Sequence, residues 1–116
     1  MEFKFSPHIA IQVKDYENAC TFYKNILGFK ELEIKKNETH FEKGDLNFYI
    51  ENEPTKEKTF FEFKVENVAN AILLLEQNGC LVTKKYSDKN AMIQDPYGMS
   101  FHIFEEGATL YSSKPA

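Results

Sequence analysis

The side chains best suited to chemistry in this sequence are two histidines, His8 and His102, and two glutamates, Glu51 and Glu62. Imidazole and carboxylate groups bind divalent metal ions, and they also move protons in catalysis. Two histidines with one carboxylate would suit a zinc or non-haem iron site. The alternative is that both histidines hydrogen-bond a ligand or water. Glu62 likewise is either a general base in a dry pocket or half of a solvated pair with Lys64.

Alternating strand-like segments predict where these side chains lie. Residues 8–13 alternate with the period of two that half-buried strands show. The same alternation in 46–51, 60–65 and 100–104 makes one sheet face apolar and leaves the other mixed. A concave, mixed, aromatic-lined face is typical of a ligand pocket. The residues predicted to line this pocket are His8, Gln12, Tyr49, Glu51, Phe60, Glu62, His102 and Phe104.

Aromatic residues are abundant and fall into two groups. Tyr49, Phe60 and Phe104 belong to the mixed face. They either stack on a planar ligand or fill a small, collapsed pocket. The other group is predicted to be core from its spacing and comprises Phe22, Tyr23, Phe61, Phe63 and Phe101. Both cysteines, Cys20 and Cys80, lack a charged neighbourhood that would activate a thiol, which predicts that they are inert.

An internal repeat with an offset of 51–53 residues positions these groups. Val13 corresponds to Val65, and the helix-capping Asp15 corresponds to Asn67. Each copy has a strand, an amphipathic helix predicted near 15–27 or 67–78, and three further strands. The predicted fold class is therefore α+β. It consists of two βαβββ modules with pseudo-twofold symmetry, each a curved mixed sheet covered by one helix.

The length of 116 residues predicts a single domain over 1–116. Module one is predicted at about 6–52 and module two at about 59–106. The charged stretch at about 53–58 is predicted to be a linker, and 107–116 a flexible tail.

Composition excludes several classes of function. Lysine supplies all 14 basic residues against 18 acidic ones, so the net charge is −4. An acidic chain without a basic face does not favour nucleic-acid binding. The absence of arginine excludes a bidentate clamp for phosphate or carboxylate. Two unpaired cysteines and the lack of a secretory signal or long apolar run predict a cytoplasmic protein without membrane partners.

Four segments of the chain resemble the vicinal oxygen chelate superfamily, which includes glyoxalases, bleomycin-resistance proteins and extradiol dioxygenases. They are HIAIQVKD from His8, ACTFYKNILGF from Ala19, GDLNFYIE from Gly44 and DPYGMSFHIFE from Asp95. The resemblance extends over about residues 6–106. It implies the paired-module fold, and it also implies a homodimer with the ligand site at or near the subunit interface.

The resemblance also implies where a metal would bind. Members with a metal take ligands from the first and last strand of each module, which correspond here to His8, Tyr49, Phe60 and His102. Phenylalanine cannot bind a metal, and neutral tyrosine is a poor ligand. His8 and His102 are therefore the candidate metal ligands. No cofactor is firmly predicted, although a divalent metal fits if Glu51 or Glu62 supplies a third ligand.

The sequence therefore favours a glyoxalase- or bleomycin-resistance-like protein. Its predicted function is to bind a small aromatic or amphipathic molecule in the concave sheet. The alternative is a metal-dependent lyase or dioxygenase with an atypical ligand set. A third possibility is a sheet scaffold without a ligand. Whether the chain is an enzyme stays open at this point, and its expected partners are a small molecule and a second copy of itself.

Overall fold

Residues 1–108, the part of the chain that the computed structural model describes, form two helices and nine strands. In chain order these are β1 (Lys4–Phe5), β2 (His8–Val13), α1 (Tyr16–Asn25), β3 (Lys30–Ile34), β4 (Glu38–Lys43), β5 (Leu46–Asn52), β6 (Lys58–Lys64), α2 (Val68–Gln77), β7 (Leu81–Ser87), β8 (Asn90–Gln94) and β9 (Ser100–Phe104). Of the predicted flexible tail, all but residues 107 and 108 lies outside the described residues.

The chain divides into two compact units. One, the α1 unit, comprises Pro7–Phe60, and the other, the α2 unit, comprises Met1–Ser6 and the described residues from Phe61 onward. The predicted module and linker boundaries stay a prediction.

The sheet of the α1 unit is mixed. Its strands follow the order β3-β4-β5-β2-β6, in which β2 and β5 run parallel and the other neighbours antiparallel. Helix α1 covers one face, where Phe41, Phe48 and Ile50 form the buried centre of the core. Their partners on β2 are Ile9 and Ile11. The alternation predicted from the sequence therefore places the apolar side chains beneath the helix.

The α2 unit repeats the plan. Its strand order is β6-β9-β8-β7, and the short β1 pairs antiparallel with the end of β6. The core beneath α2 contains Val68, Ala71, Ile93 and Ile103. The two βαβββ modules and the α+β class are confirmed, and the helices begin and end within two residues of their predicted positions. The pseudo-twofold relation between the modules stays a prediction.

The two helices begin differently. The Asn67 side chain accepts a hydrogen bond from the Asn70 backbone N–H, so it caps α2 as predicted. Asp15 makes no such side-chain bond at the start of α1, and its carboxylate accepts instead from the Asn18 side chain. Gly79, with φ at +91°, directly follows the C-cap Asn78, as a C′ glycine should. Gly28, with φ at +74°, lies one position beyond C′, because the C-cap of α1 is Ile26.

The prediction that Phe22 belongs to the core is wrong, because this side chain is 47% exposed. The buried side of α1 consists of Tyr16, Ala19, Cys20 and Tyr23. The sequence offers two overlapping apolar stripes one position apart, and α1 buries the one that contains Tyr16. Phe22 and Ile26 belong to the other stripe and therefore face away from the core.

The outermost strand of each unit is irregular. The pairing of β3 with β4 shifts between Glu31 and Glu33, and the pairing of β7 with β8 shifts twice, on either side of Lys84 and Lys85. Such shifts are β-bulges, which increase the local twist.

Neither helix of residues 1–108 has the length and apolar character that a bilayer span requires.

Candidate functional site

The face of the α1 unit opposite the helix carries side chains in rows that cross the strands. Strand register places His40, Tyr49, Ala10 and Phe60 side by side on β4, β5, β2 and β6. The row on one side contains Glu38, Glu51, Gln12 and Lys58, and the row on the other contains Glu42, Asn47 and His8. Strand register thus places His8, Gln12, Tyr49, Glu51 and Phe60 on one face, whereas their role as a ligand site stays a prediction.

An aromatic column runs across this face. The Tyr49 ring stacks on His40 with a centroid separation of 4.4 Å and an interplanar angle of 16°, and His8 lies 5.7 Å away, tilted by 35°. The Asn47 side chain holds His40 through a 2.9 Å contact between Oδ1 and Nε2. Tyr49 is buried whereas both histidines are partly exposed. The column therefore reaches solvent through its imidazoles.

Polar groups lie beside the column. Gln12 Nε2 donates to Glu51 Oε1 across 3.2 Å. With β3 included, strand register places four carboxylates (Glu33, Glu38, Glu42 and Glu51) and two ammonium groups (Lys30 and Lys58) on this face. This face therefore carries a net negative charge next to its aromatic rings.

A second constellation lies in the α2 unit. Glu62 Oε2 is 3.1 Å from His102 Nδ1, and the Ser6 hydroxyl donates to Glu62 Oε1 across 2.6 Å. The Ser6 backbone N–H also donates to the Glu62 carbonyl oxygen at 2.9 Å. With Glu62 ionised, its carboxylate only accepts hydrogen bonds, and the imidazole proton then lies on Nδ1. Such an orienting carboxylate suits a histidine that accepts a proton or a hydrogen bond through Nε2.

Aromatic rings enclose His102. Phe104 is stacked on the imidazole at 6.2 Å and 15°, and Tyr86 meets it edge-on at 5.7 Å. The ammonium group of Lys84 lies 5.0 Å from the centre of the Tyr86 ring, within the range of a cation–π contact. Glu62, His102 and Phe104 thus contact or neighbour one another, as their predicted common face requires. Their convergence with the residues of the α1 unit in one cavity stays a prediction.

Sequence reasoning missed three members of these constellations. His40 alternates with the buried Phe41, so the strand pattern of residues 39–43 could have placed it on the mixed face. Tyr86 lies at the second register shift of β7, so a simple alternation along the strand does not predict the direction of its side chain. Ser6 precedes β2 in a short connection, and no pattern in the sequence points to its contact with Glu62.

Comparisons with known proteins agree with this architecture. Residues 6–103 match the family model described as Glyoxalase/Bleomycin resistance protein/Dioxygenase superfamily. The chain belongs to this superfamily. No curated protein shows significant similarity to the chain.

Solved structures similar to this member of the superfamily share its fold at low sequence identity. A hypothetical protein, BH1468 from Bacillus halodurans C-125, is 14% identical, with a TM-score of 0.66 over 96% of this chain and 99% of that one. An extradiol ring-cleaving dioxygenase from B. fuscum is 17% identical, with a TM-score of 0.70 over 95% of this chain. The Mn(II)-bound glyoxalase from Novosphingobium aromaticivorans is 14% identical, with a TM-score of 0.64 over 92% of this chain. The chain covers 34% of that dioxygenase and 41% of that glyoxalase.

The residues at the metal positions of the superfamily do not form a metal donor set. Phe60 has no donor atom, and Tyr49 is stacked on a histidine. Both candidate carboxylates are engaged, Glu51 by Gln12 and Glu62 by Ser6. Among residues 1–108, no three histidine, cysteine or acidic side chains are placed to hold a metal ion.

Proposed function

We propose that this protein binds a small aromatic or amphipathic molecule without a metal, and that it prefers neutral or cationic ligands to anionic ones. The observation that carries this proposal is the aromatic column of His40, Tyr49 and His8 beside the carboxylate of Glu51. A face with aromatic rings next to a carboxylate can bind a ligand both by ring stacking and by attraction to its charge.

Stacking supplies the attraction for a ring. An aromatic pair contributes about 0.5–1.5 kcal/mol beyond the burial of its area. The hydrogen bond to Asn47 holds His40 in place, and His40 in turn stacks on Tyr49. The rings are therefore ordered before a ligand arrives, which lowers the entropy that binding must offset.

Charge supplies the selectivity. The four carboxylates and two ammonium groups on this face favour a cation over an anion. Glu51 is partly buried, so salt screens its field less than that of an exposed group. In the α2 unit, taken by itself, Glu62 and His102 form a polar pair flanked by Phe104, a combination that also suits an amphipathic molecule.

The test uses three ligands that share one ring system: tryptamine as the cation, 3-methylindole as the neutral compound and indole-3-acetate as the anion. Isothermal titration calorimetry at low salt should give tryptamine and 3-methylindole affinities at least about tenfold above that of indole-3-acetate, a difference of about 1.4 kcal/mol. Glu51→Gln should reduce the preference for tryptamine, whereas Glu57→Gln, at an exposed position of the same unit, should not.

A pair of phenylalanine variants tests the stacking. Phe60→Ala should remove most of the binding, and Phe22→Ala, on the exposed side of α1, should leave it unchanged. Binding of indole-3-acetate alone, or wild-type affinity in the Phe60→Ala variant, would show that the proposal is wrong.

The alternative, a metal-dependent lyase or dioxygenase, has no support from the donor set described above. A homodimer and a cytoplasmic location stay proposals. The first rests on the resemblance to the superfamily and is measured by sedimentation equilibrium. The second rests on two thiols that form no disulfide.

A further inference from the structure

A cleft in the surface of the α2 unit is lined by charged side chains of both signs. Its volume is about 300 Å³, at the lower end of the range for small-molecule sites, which suits a molecule of about amino-acid size. Every lining residue belongs to the α2 unit. Val65, which is 4% exposed, is the one apolar residue among them. The lining residues are Glu2, Lys4, Lys64, Val65, Glu66 and Glu106.

The two lysines of this cleft lie directly opposite each other. Strand register pairs Lys4 of β1 with Lys64 of β6. Like charges at such positions repel, so the arrangement costs free energy. Glu106 forms an ion pair with Lys64, and the hydrogen bond between them lowers the pKa of the Glu106 carboxyl. Within residues 1–108 the Lys4 ammonium has no such partner. A carboxylate on a ligand would supply one.

Two further carboxylates line the same cleft. Glu2 precedes Lys4 by two residues, and Glu66 follows Lys64 by two. Neither glutamate forms an ion pair within the described part of the chain. With Glu106 the cleft holds three carboxylates and two ammonium groups, a net charge of −1. A simple anion would meet an excess of carboxylates, and a simple cation would leave Lys4 unmatched. A molecule that carries both charges matches both sets of groups.

We propose that this cleft binds a small zwitterion of the amino-acid class, its carboxylate between Lys4 and Lys64 and its ammonium group toward Glu2 and Glu66. This second site lies in the α2 unit and does not depend on the aromatic face of the proposed function. Exposed ion pairs are weak, so we expect a dissociation constant of about 1 mM.

The first experiment changes the charge of the ligand while keeping its shape. L-Leucine carries both charges, L-leucinamide carries only the positive one, and 4-methylpentanoate carries only the negative one. Amide chemical shifts of the isotope-labelled protein at low salt measure the three affinities. Leucine should bind at least about threefold more tightly than either analogue. The shifts should be largest for Lys4, Lys64 and Glu66.

The second experiment removes one charge from the protein. Lys4→Met should weaken the binding of leucine and 4-methylpentanoate about three- to fivefold without weakening that of leucinamide. Glu66→Gln should weaken the binding of leucine and leucinamide by about the same factor without weakening that of 4-methylpentanoate. Lys14→Met and Glu76→Gln, at exposed positions outside the cleft, are the matched controls. All four positions are exposed, so the variants should keep the wild-type melting temperature.

Three results would overturn this inference. They are equal affinities for the three compounds, leucine affinity that neither Lys4→Met nor Glu66→Gln reduces, and the absence of shifts in the α2 unit at about 20 mM leucine, which saturates a millimolar site. Each of these results leaves the proposed function standing, since the indole compounds test the α1 unit.

Discussion

Glu62 Oε2 lies 3.1 Å from His102 Nδ1, and the two residues are only 4% and 1% exposed. Burial of a carboxylate beside an imidazole is costly unless the hydrogen bonds between them are well formed. The hydroxyl of Ser6 satisfies the second carboxylate oxygen. The pair therefore constrains the packing of three segments of the α2 unit: the connection before β2, β6 and β9.

Replacement of Glu62 should show how much this pair stabilises the fold. Glu62→Leu removes the acceptor for both Ser6 and His102 and should lower the free energy of unfolding by about 1–3 kcal/mol. Glu62→Gln keeps one acceptor oxygen and should cost less. Urea unfolding measures both, with the exposed Glu76→Gln as the control. Nitrogen chemical shifts of the imidazole should show the proton on Nδ1 in the wild type, and a proton on Nε2 alone would contradict the assigned tautomer.

His40 should affect ligand binding through Tyr49. His40→Ala removes the ring on which Tyr49 stacks and should weaken binding of 3-methylindole by roughly 0.5–1.5 kcal/mol, about two- to tenfold. His40→Phe should restore most of the loss, since it keeps a ring at that position. Calorimetry measures the affinities. Equal affinities of the wild type and His40→Ala would show that the column does not order the site.

Metal addition should leave the protein unchanged. Because Phe60 has no donor atom and both candidate glutamates are engaged, we expect less than stoichiometric zinc, iron, nickel or manganese in protein purified without affinity metal. Elemental analysis and the melting temperature with added metal are the measurements. Stoichiometric metal would contradict the prediction. In that case alanine replacement of Glu51 or Glu62 should release the ion, whereas Glu57→Ala should not.

The thiols of Cys80, which is buried, and Cys20, which is partly buried, should make the fold sensitive to alkaline pH. Burial raises the pKa of both Cys20 and Cys80, and the charge of Asp95 adds to the effect at Cys80. A raised pKa in the folded state favours the neutral thiol. Stability from this source is therefore complete below the unfolded-state pKa, about 8.5, and declines as pH rises above it. Urea unfolding from pH 7 to 10 should show a shallower decline for Cys80→Ala than for the wild type, and parallel profiles would contradict this.

Helix α2 receives a cap from a distant strand end. The carboxylate of Glu105 accepts from the Val68 backbone N–H at 2.8 Å, at the positive end of the helix. Glu105→Ala should therefore cost about 0.5–2 kcal/mol in thermal or urea unfolding. Glu106→Ala removes only an exposed ion pair with Lys64 and should cost less. A larger loss of stability in Glu106→Ala than in Glu105→Ala would contradict the prediction.

The fold was largely predictable because the sequence shows both the alternation of its strands and the apolar spacing of its helices. Alternation placed His8, Gln12 and Tyr49 on the face opposite α1, where strand register puts them. Glycines and the capping Asn67 marked helix ends correctly. The prediction failed in α1, where two apolar stripes could each face the core. One contains Tyr16 and is buried, and the other contains Phe22 and is exposed.

The candidate site was predictable only in part, because alternation assigns a face and not a contact. It could not show that Tyr49 stacks on His40, since the pairing of β4 with β5 depends on register. Nor could it show that Glu62 contacts His102 and Ser6, which are 40 and 56 residues away in sequence. Such contacts arise from tertiary packing, for which a single sequence carries no local signal.

The register shifts in β3 and β7 bear on how this protein behaves at high concentration. An outer strand with straight, regular backbone groups is a template on which a second chain can extend the sheet. In both outer strands that template is interrupted, and β7 carries Lys84 and Lys85 between its two shifts. A growing stack of sheets would have to remove the bulges and bring lysines of successive chains into a ladder of like charge. The protein should therefore resist fibril formation even though 42% of its residues are hydrophobic.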